Sequence, residues 1–371
     1  MVDRCAEPAG AHAAAPRLTV ALASVAIAVS ACVHAHSPPQ PKPPAECRSA
    51  VDGNGAPATI AWAFAAEERD RVTLDDWCRA VGPAVIAQEK TARSTTDDFV
   101  VATWNMHLGG GNIDELLDHL RDPARPDRPV VLLVQEAFRR GPLNSPRGRV
   151  PRRIAPTTQG LQRASVTTLA AQRGLSLAYV PSMRNGSEEG DRAEDRGNAI
   201  LSTLPLSDVT AIELPFEHQR RVAVAATVRL VDTSHRDWTI RVVSTHFDAQ
   251  SAWRHGRFLF WFGRTRQAEA LTAALALGSD RTTTASILGG DFNSVFGELE
   301  QDVHEMRRRF PQTPPSHIHV TFPLLGRLGL HLDHLFTRIP AGWRTETHRA
   351  PERWGSDHYA VIGHVSLRPA N

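Results

Sequence analysis

Carboxylates, carboxamides and imidazoles recur in six short clusters along this sequence. They are Thr103-Trp104-Asn105, Val134-Gln135-Glu136, Ser244-Thr245-His246, Gly289-Gly290-Asp291-Phe292-Asn293, Leu332-Asp333-His334 and Ser356-Asp357-His358. Taken singly, each has an ordinary explanation. Asn and Asp after a strand are turn formers, a Glu closing a buried strand is often a solvated rim residue, and a His among apolar neighbours is often a hydrogen-bonded core residue. Together they suit the attack of water on a phosphate ester. A phosphodiester is anionic and repels nucleophiles, so a hard divalent cation must neutralise its oxygens and polarise phosphorus. Mg²⁺ prefers one or two carboxylates and leaves positions for phosphate. Glu136 suits that role, with Asp357 as a second ligand, direct or through water. Asp291 can orient or deprotonate the water. His246 and His358 can donate hydrogen bonds to phosphoryl oxygens as charge builds, and Asp333 can orient His358. Asn105 and Asn293 can bind phosphate, water or ligand carboxylates without adding charge.

For these clusters to meet, strands must carry them to one shared edge. Apolar, β-branched runs are placed to do so. Phe99–Trp104, Val130–Val134, Ala199–Leu201, Val222–Val228, Ile240–Ser244, Ser286–Leu288, Leu335–Thr337 and Ala360–Val365 read as buried strands. Helical patterns cover Ile113–Leu120, Gln159–Ala171 and Arg266–Ala276, and Leu74–Ala87 reads as a short helix interrupted by Gly82-Pro83. Strand pairs without an intervening helix also occur, as from Ile200 through Val243. The mixture suits two packed sheets with helices outside.

In this order the clusters resemble the endonuclease/exonuclease/phosphatase family, from about Asp97 to Leu367. Gly290-Asp291-Phe292-Asn293 with Ser356-Asp357-His358 is the most specific pair, and Arg196-Gly197-Asn198-Ala199-Ile200-Leu201-Ser202 matches a further family motif. The resemblance implies an α/β fold: a four-layer α/β/β/α sandwich of two mixed, mainly antiparallel sheets flanked by helices, with the site at one edge of both sheets. It implies that Glu136 holds Mg²⁺ or Mn²⁺, that Asn105 supports the metal site and that Asp357 lies near the metal. Asp291 and Asn293 would position water and phosphate, and His358 would pair with Asp333. His246 matches the Thr-His motif of the deoxyribonuclease and sphingomyelinase branches, and Asn198 is expected to contact substrate.

Loops depart from the family pattern. Arg139, Arg140, Arg147, Arg149, Arg152 and Arg153 crowd the segment after Glu136. Such a run is either a solvated charged loop or a grip for phosphates; Arg139 and Arg140 are the candidate substrate contacts. Phe258-Leu259-Phe260-Trp261-Phe262 is either core packing or an exposed patch for lipid or bases. The expected function is a nuclease-like phosphodiesterase acting on a phosphodiester substrate, nucleic acid or phospholipid. A phospholipid or sphingolipid phosphodiesterase is the enzymatic alternative, and a non-catalytic binding protein on the same scaffold is the other. A monomer is expected.

With 371 residues, 42% apolar and 22% charged, the chain can bury a large core. A net charge of +2 excludes a global basic field, so any anion-binding surface must be local. Residues 1–32 read as a signal segment: Arg4 and Arg17 flank a short apolar run, Leu18–Ala31, that ends in Val29-Ser30-Ala31-Cys32. Lipidation at Cys32, tethering the protein to a bacterial membrane, is the expected outcome. Ordinary cleavage near Ala31 or Ala35 into the periplasm or medium, and a retained anchor, are the alternatives. A Pro-rich linker follows over 33–45, then an N-terminal extension over 46–96 and the main domain over 97–367. Export favours a Cys47–Cys78 disulfide over two buried free thiols.

Overall fold

The computed structural model describes residues 46–88, 94–141, 163–185, 194–249, 262–277, 283–324 and 328–367. In chain order the first elements are β1 (Ala50–Asp52), β2 (Pro57–Ala58), β3 (Ala61–Phe64), α1 (Arg71–Cys78), β4 (Ala84–Ala87), β5 (Asp98–Asn105), α2 (Ile113–Leu120) and β6 (Val130–Arg140). Next come α3 (Val166–Arg173), β7 (Ser176–Asn185), β8 (Glu194–Ser202), β9 (Ser207–Glu213), β10 (Val222–Val231) and β11 (Asp237–His246). The last are α4 (Phe262–Leu277), β12 (Ala285–Asp291), α5 (Gln301–Arg309), β13 (Phe322–Pro323), β14 (Gly329–Leu330), β15 (Asp333–Arg338), β16 (Arg344–Arg349) and β17 (Val361–Ser366).

The strands form two large mixed sheets, ordered β16-β17-β5-β6-β8-β7-β4-β1-β2 and β15-β12-β11-β10-β9-β3. Most pairings are antiparallel, but β1–β4, β3–β9, β5–β6 and β11–β12 are parallel. Alternating side chains explain the layering. Val101, Leu133 and Ile200 of the first sheet meet Val224, Val242 and Ile287 of the second in one dry core. The opposite faces are covered by helices. Ile113, Leu116, Leu117 and Leu120 of α2, with Val166 and Leu169 of α3, seal the first sheet. Ala268 and Leu271 of α4, with Val303 and Met306 of α5, seal the second. The result is the α/β/β/α arrangement. Helix α2 starts where Asn112 accepts from the backbone N–H of Asp114 and Glu115, an N-cap that stops the helix running back into the β5 loop.

Residues 46–88 are woven into both sheets. β1, β2 and β4 extend the first sheet beyond β7, and β3 pairs with β9 at the edge of the second. The stretch read as one interrupted helix over Leu74–Ala87 is helical only to Cys78. After Gly82-Pro83 the run Ala84-Val85-Ile86-Ala87 is a strand, because it fills a gap between β1 and β7. Cys47 and Cys78 form a disulfide with Cα atoms 5.4 Å apart. A buried ion network ties this segment down: Arg48 reaches Asp75 at 2.8 Å and Glu213 at 3.2 Å, and fully buried Arg220 binds Glu213 as well.

Candidate active site

Strand register assembles the site. Parallel β5 and β6 set Asn105 beside Gln135, one residue before Glu136. In the second sheet β11 and β12 set His246 opposite Asp291, and β12 and β15 set Asp291 opposite Asp333. The Gly289-Gly290 pair permits the close approach. A Cβ on Gly290 would lie 2.2 Å from the Thr245 carbonyl oxygen, and one on Gly289 2.6 Å from Thr103 Cβ. Gln135 clamps the two sheets together here. Its amide donates to Thr103 Oγ1 at 3.2 Å and to Ser244 Oγ at 3.0 Å, and Ser244 donates to the Val134 carbonyl at 3.0 Å.

Glu136 escapes the strand alternation. The β6–β8 register shifts between Val134 and Ala137, and Glu136 takes a φ of 50°. A bulge of this kind re-aims a side chain, and non-glycine residues in the left-handed region concentrate at functional sites. The Leu108 N–H donates to Glu136 Oε2 at 2.9 Å.

Asp291 is the hub. Asn105 Nδ2 donates to its Oδ2 at 2.9 Å, and the Asn293 N–H donates to its Oδ1 at 2.8 Å. His246 Nε2 and His358 Nε2 lie 3.5 and 3.8 Å from Oδ2, beyond a direct hydrogen bond and free to turn to a ligand. Burial raises the Asp291 carboxyl to about 7, helped by Asp333 and opposed by His358. Burial alone would depress His358. Asp333, with Nδ1 and Oδ2 only 2.7 Å apart, and then Asp291 overrule it and raise the imidazole to about 10. His246 goes the other way. Burial, then the charges of Arg221 and Arg196, push it well below 6.5, so it is neutral. The Ser356-Asp357-His358 loop is pinned to the end of β5. Ser356 Oγ donates to the Asn105 carbonyl at 2.6 Å, and Trp104 Nε1 donates to the His358 carbonyl at 3.1 Å.

The oxygen donors fit a hard cation. Glu136 and Asp357 are partly exposed, and Asn105 Oδ1, accepting the His107 N–H at 2.9 Å, fixes the loop that leads to Leu108 and so to Glu136. Asp291, Asp333 and His358 also present ligand atoms within 4.8 Å of one another. In that trio, however, His358 Nδ1 and Asp333 Oδ2 are spent on each other and the imidazole holds a proton, so it handles protons and suits a cation poorly.

Most of the expected residues converge. Asn198 is buried, donates to the Val222 carbonyl at 2.8 Å and lines a pocket with Glu136 and His246. Asn293 donates its amide to the Phe247 carbonyl at 3.0 Å, which holds the Asp291 loop. Arg139, expected to contact substrate, does not face the site. It is buried, donates to Asp195 through Nε at 3.0 Å and through Nη2, and gives Nη1 to the Pro83 carbonyl at 2.7 Å. A guanidinium in a dry sheet needs such a counter-ion, and all three of its nitrogens are engaged away from the site. Arg140 is half exposed and 3.4 Å from Glu194, a rim position. Arg147, Arg149, Arg152 and Arg153, and Phe258 to Trp261, lie outside the described residues.

Sequence reasoning missed His107, whose Nδ1 lies 3.0 Å from Asp357 Oδ2. That contact raises the His107 imidazole. Against its own burial, Asp357 is lowered by the same bond and by His358. The only signal was its place two residues past Asn105. Arg196 and Arg221, which flank His246, were missed as well.

The Endonuclease/Exonuclease/phosphatase family model matches residues 102–358, from within β5 to His358. The chain belongs to this family. It is a hydrolase of phosphate esters, and the family's chemistry depends on a divalent metal. No curated protein matches it in sequence. Similar solved structures include the human nocturnin catalytic domain with bound sulfate, at 16% identity and a TM-score of 0.47, over 74% of this chain and 95% of that one. Sphingomyelinase C from Streptomyces griseocarneus is similar at 17% identity and a TM-score of 0.43, over 72% and 99%. A mutant beta toxin from Staphylococcus aureus with bound magnesium ions is similar at 14% identity and a TM-score of 0.46, over 72% and 99%. The family assignment rests on the sequence match.

Proposed function

We propose that the protein is an exported, nuclease-like phosphodiesterase that uses Mg²⁺ or Mn²⁺ and attacks phosphate with water. The observation that carries this reading is Asp291: a buried carboxylate raised to about 7, held by two amides and faced by two imidazoles of opposite charge state. A carboxylate with that pKa is a far better base near neutrality than an exposed one. Asp291 takes a proton from the attacking water as its oxygen bonds to phosphorus; the P–O bond to the leaving group breaks, and the leaving oxygen takes up a proton from solvent. Protonated His358, oriented by Asp333, and neutral His246 donate to the non-bridging oxygens where negative charge accumulates. Asn105 and Asn293 hold Asp291 in place. Glu136 and Asp357 would hold the cation, which when bound neutralises the phosphate and polarises phosphorus.

Export is supported by the N-terminal apolar segment ending at Cys32 and by the Cys47–Cys78 pairing, which suits an oxidising compartment. A lipid substrate is the second reading. Val295, Phe296 and Leu299 follow Asn293 directly and are exposed, as are Leu324 and Leu328 near Phe322, whose ring packs on His358 at 4.9 Å. The test is hydrolysis of plasmid DNA, RNA and sphingomyelin with Mg²⁺, Mn²⁺ or EDTA, at low and high salt. EDTA-sensitive, salt-sensitive cleavage of DNA or RNA is expected. Salt-insensitive cleavage of sphingomyelin alone would replace it with the lipid reading.

A further inference from the structure

Beside Glu136 and His246 lies a narrow pocket to which the hydrolytic steps above assign no role. Arg196, Asn198 and Arg221 line it, with Ser182 and Met183 behind. Arg196 and Asn198, two residues apart on β8, face the same side, whereas Arg221 comes from the other sheet, just ahead of β10. The strand geometry is tight: a Cβ on Gly197 would lie 2.0 Å from the Val180 carbonyl oxygen, so β8 sits hard against β7.

Two buried guanidiniums in one pocket are an unusual arrangement. Burial lowers Arg196, the Arg221 charge lowers it further, and Glu136 is the carboxylate that opposes them. Arg221 is 5% exposed, and its Nε has no hydrogen-bond partner among the described residues. Arg139 and Arg220 are as deeply buried, and each meets a carboxylate through at least two nitrogens. A buried guanidinium nitrogen left without a partner is unfavourable, and a bound anion removes that penalty. The planar guanidinium fork suits phosphate oxygens.

We infer that Arg196 and Arg221 form a second anion subsite, which takes a phosphate neighbouring the one that is hydrolysed. This rests on the hydrolytic reading of Asp291 and His358. Glu136 and His246 belong both to this pocket and to the hydrolytic centre, so the two phosphates lie side by side. The preferred substrate carries two phosphates in close succession, as a polynucleotide or a small bisphosphate ester does. A choline phosphodiester would bring a quaternary ammonium towards two guanidiniums and is disfavoured.

The experiment uses thymidine 5′-(p-nitrophenyl phosphate) and the same ester carrying a 3′-phosphate, both with metal-loaded full-length mature protein. A matched pair built on 1,3-propanediol replaces the nucleoside. The wild type is expected to show a kcat/KM at least about 10-fold higher for the two-phosphate ester, the scale of one charged hydrogen bond. Isothermal titration should show the same order for thymidine 3′,5′-bisphosphate over thymidine 5′-monophosphate. Arg221→Gln should abolish the preference and Arg221→Lys should retain part of it. A preference on both scaffolds supports a subsite for any second phosphate. One confined to the nucleoside pair supports a nucleic-acid source. Turnover of both members of each pair without preference in the wild type overturns the subsite and leaves the hydrolytic reading standing. Binding preference without turnover of any ester supports the subsite and overturns the hydrolytic reading, and absence of both removes the two together.

Discussion

Replacing Asp333 by Asn removes the charge that keeps His358 protonated and preserves the shape of the side chain. Raising an imidazole from 6.5 to about 10 corresponds to roughly 5 kcal/mol in favour of its protonated form. Asp333 is the largest of the three carboxylates responsible, ahead of Asp291 and Asp357, so the variant lowers His358 more than the loss of either of the others would. His358 then gives up its proton at a lower pH, and its Nδ1–H faces a neutral partner instead of a carboxylate. A hydrogen bond to a charged group contributes about 1.5–3 kcal/mol, so weakening the one that orients His358 lowers kcat/KM by about 10- to 100-fold. The pH profile carries the sharper signature. In the wild type, activity rises as Asp291 ionises near 7 and persists until His358 loses its proton near 10. In Asp333→Asn the alkaline limb moves down. Steady-state hydrolysis of bis-p-nitrophenyl phosphate with Mg²⁺, from mildly acidic to strongly alkaline pH, measures both. A variant within about threefold of wild type, with its alkaline limb unmoved, refutes the role given to the Asp333–His358 pair.

Three further outcomes concern stability. Burial raises Asp302 to about 7, and its Oδ2 has no hydrogen-bond partner among the described residues. Because its folded pKa exceeds the unfolded value of 3.8, stability is full below about pH 4 and is lost as pH rises through about 7. Asp302→Asn should therefore raise stability by about 2–4 kcal/mol at pH 8 and by nothing at pH 4, read from urea melts at both. Asp195→Ala should cost about 3–5 kcal/mol in the same assay, because it strands buried Arg139 and removes the acceptor of the Tyr179 hydroxyl at 2.8 Å. Replacing Cys47 and Cys78 together by Ser opens a link across 31 residues and should cost about 2–4 kcal/mol, with thermal unfolding as the readout.

Much of this site was legible because strand ends announce themselves. A β-branched run followed by Asn, Glu, His or Asp marks where a side chain leaves the core, and register then brings such ends together, as with His246, Asp291 and Asp333. The layers followed from the same runs, whose alternation demands a partner on both faces. What stayed hidden depended on long-range pairing. Asp195 lies 56 residues from Arg139, and nothing local marks that arginine as structural. Arg196 and Arg221 belong to different sheets, so their convergence on one pocket exists only after the sandwich closes. β7 was missed because Pro181 interrupts its apolar pattern, and the chain absorbs it with a register shift between Pro181 and Met183. β4 was read as helix because four apolar residues fit either period.

Metal-assisted hydrolysis with Asp291 as the base makes two demands of one simple diester. The most direct test is the rate of bis-p-nitrophenyl phosphate hydrolysis by folded wild type and Asp291→Ala, each with Mg²⁺ and with EDTA. The wild type is expected to turn over the diester, EDTA to abolish that turnover, and Asp291→Ala to lower it by about 100-fold or more at saturating metal. Turnover that survives EDTA, or an Asp291→Ala variant as fast as the wild type, would contradict it.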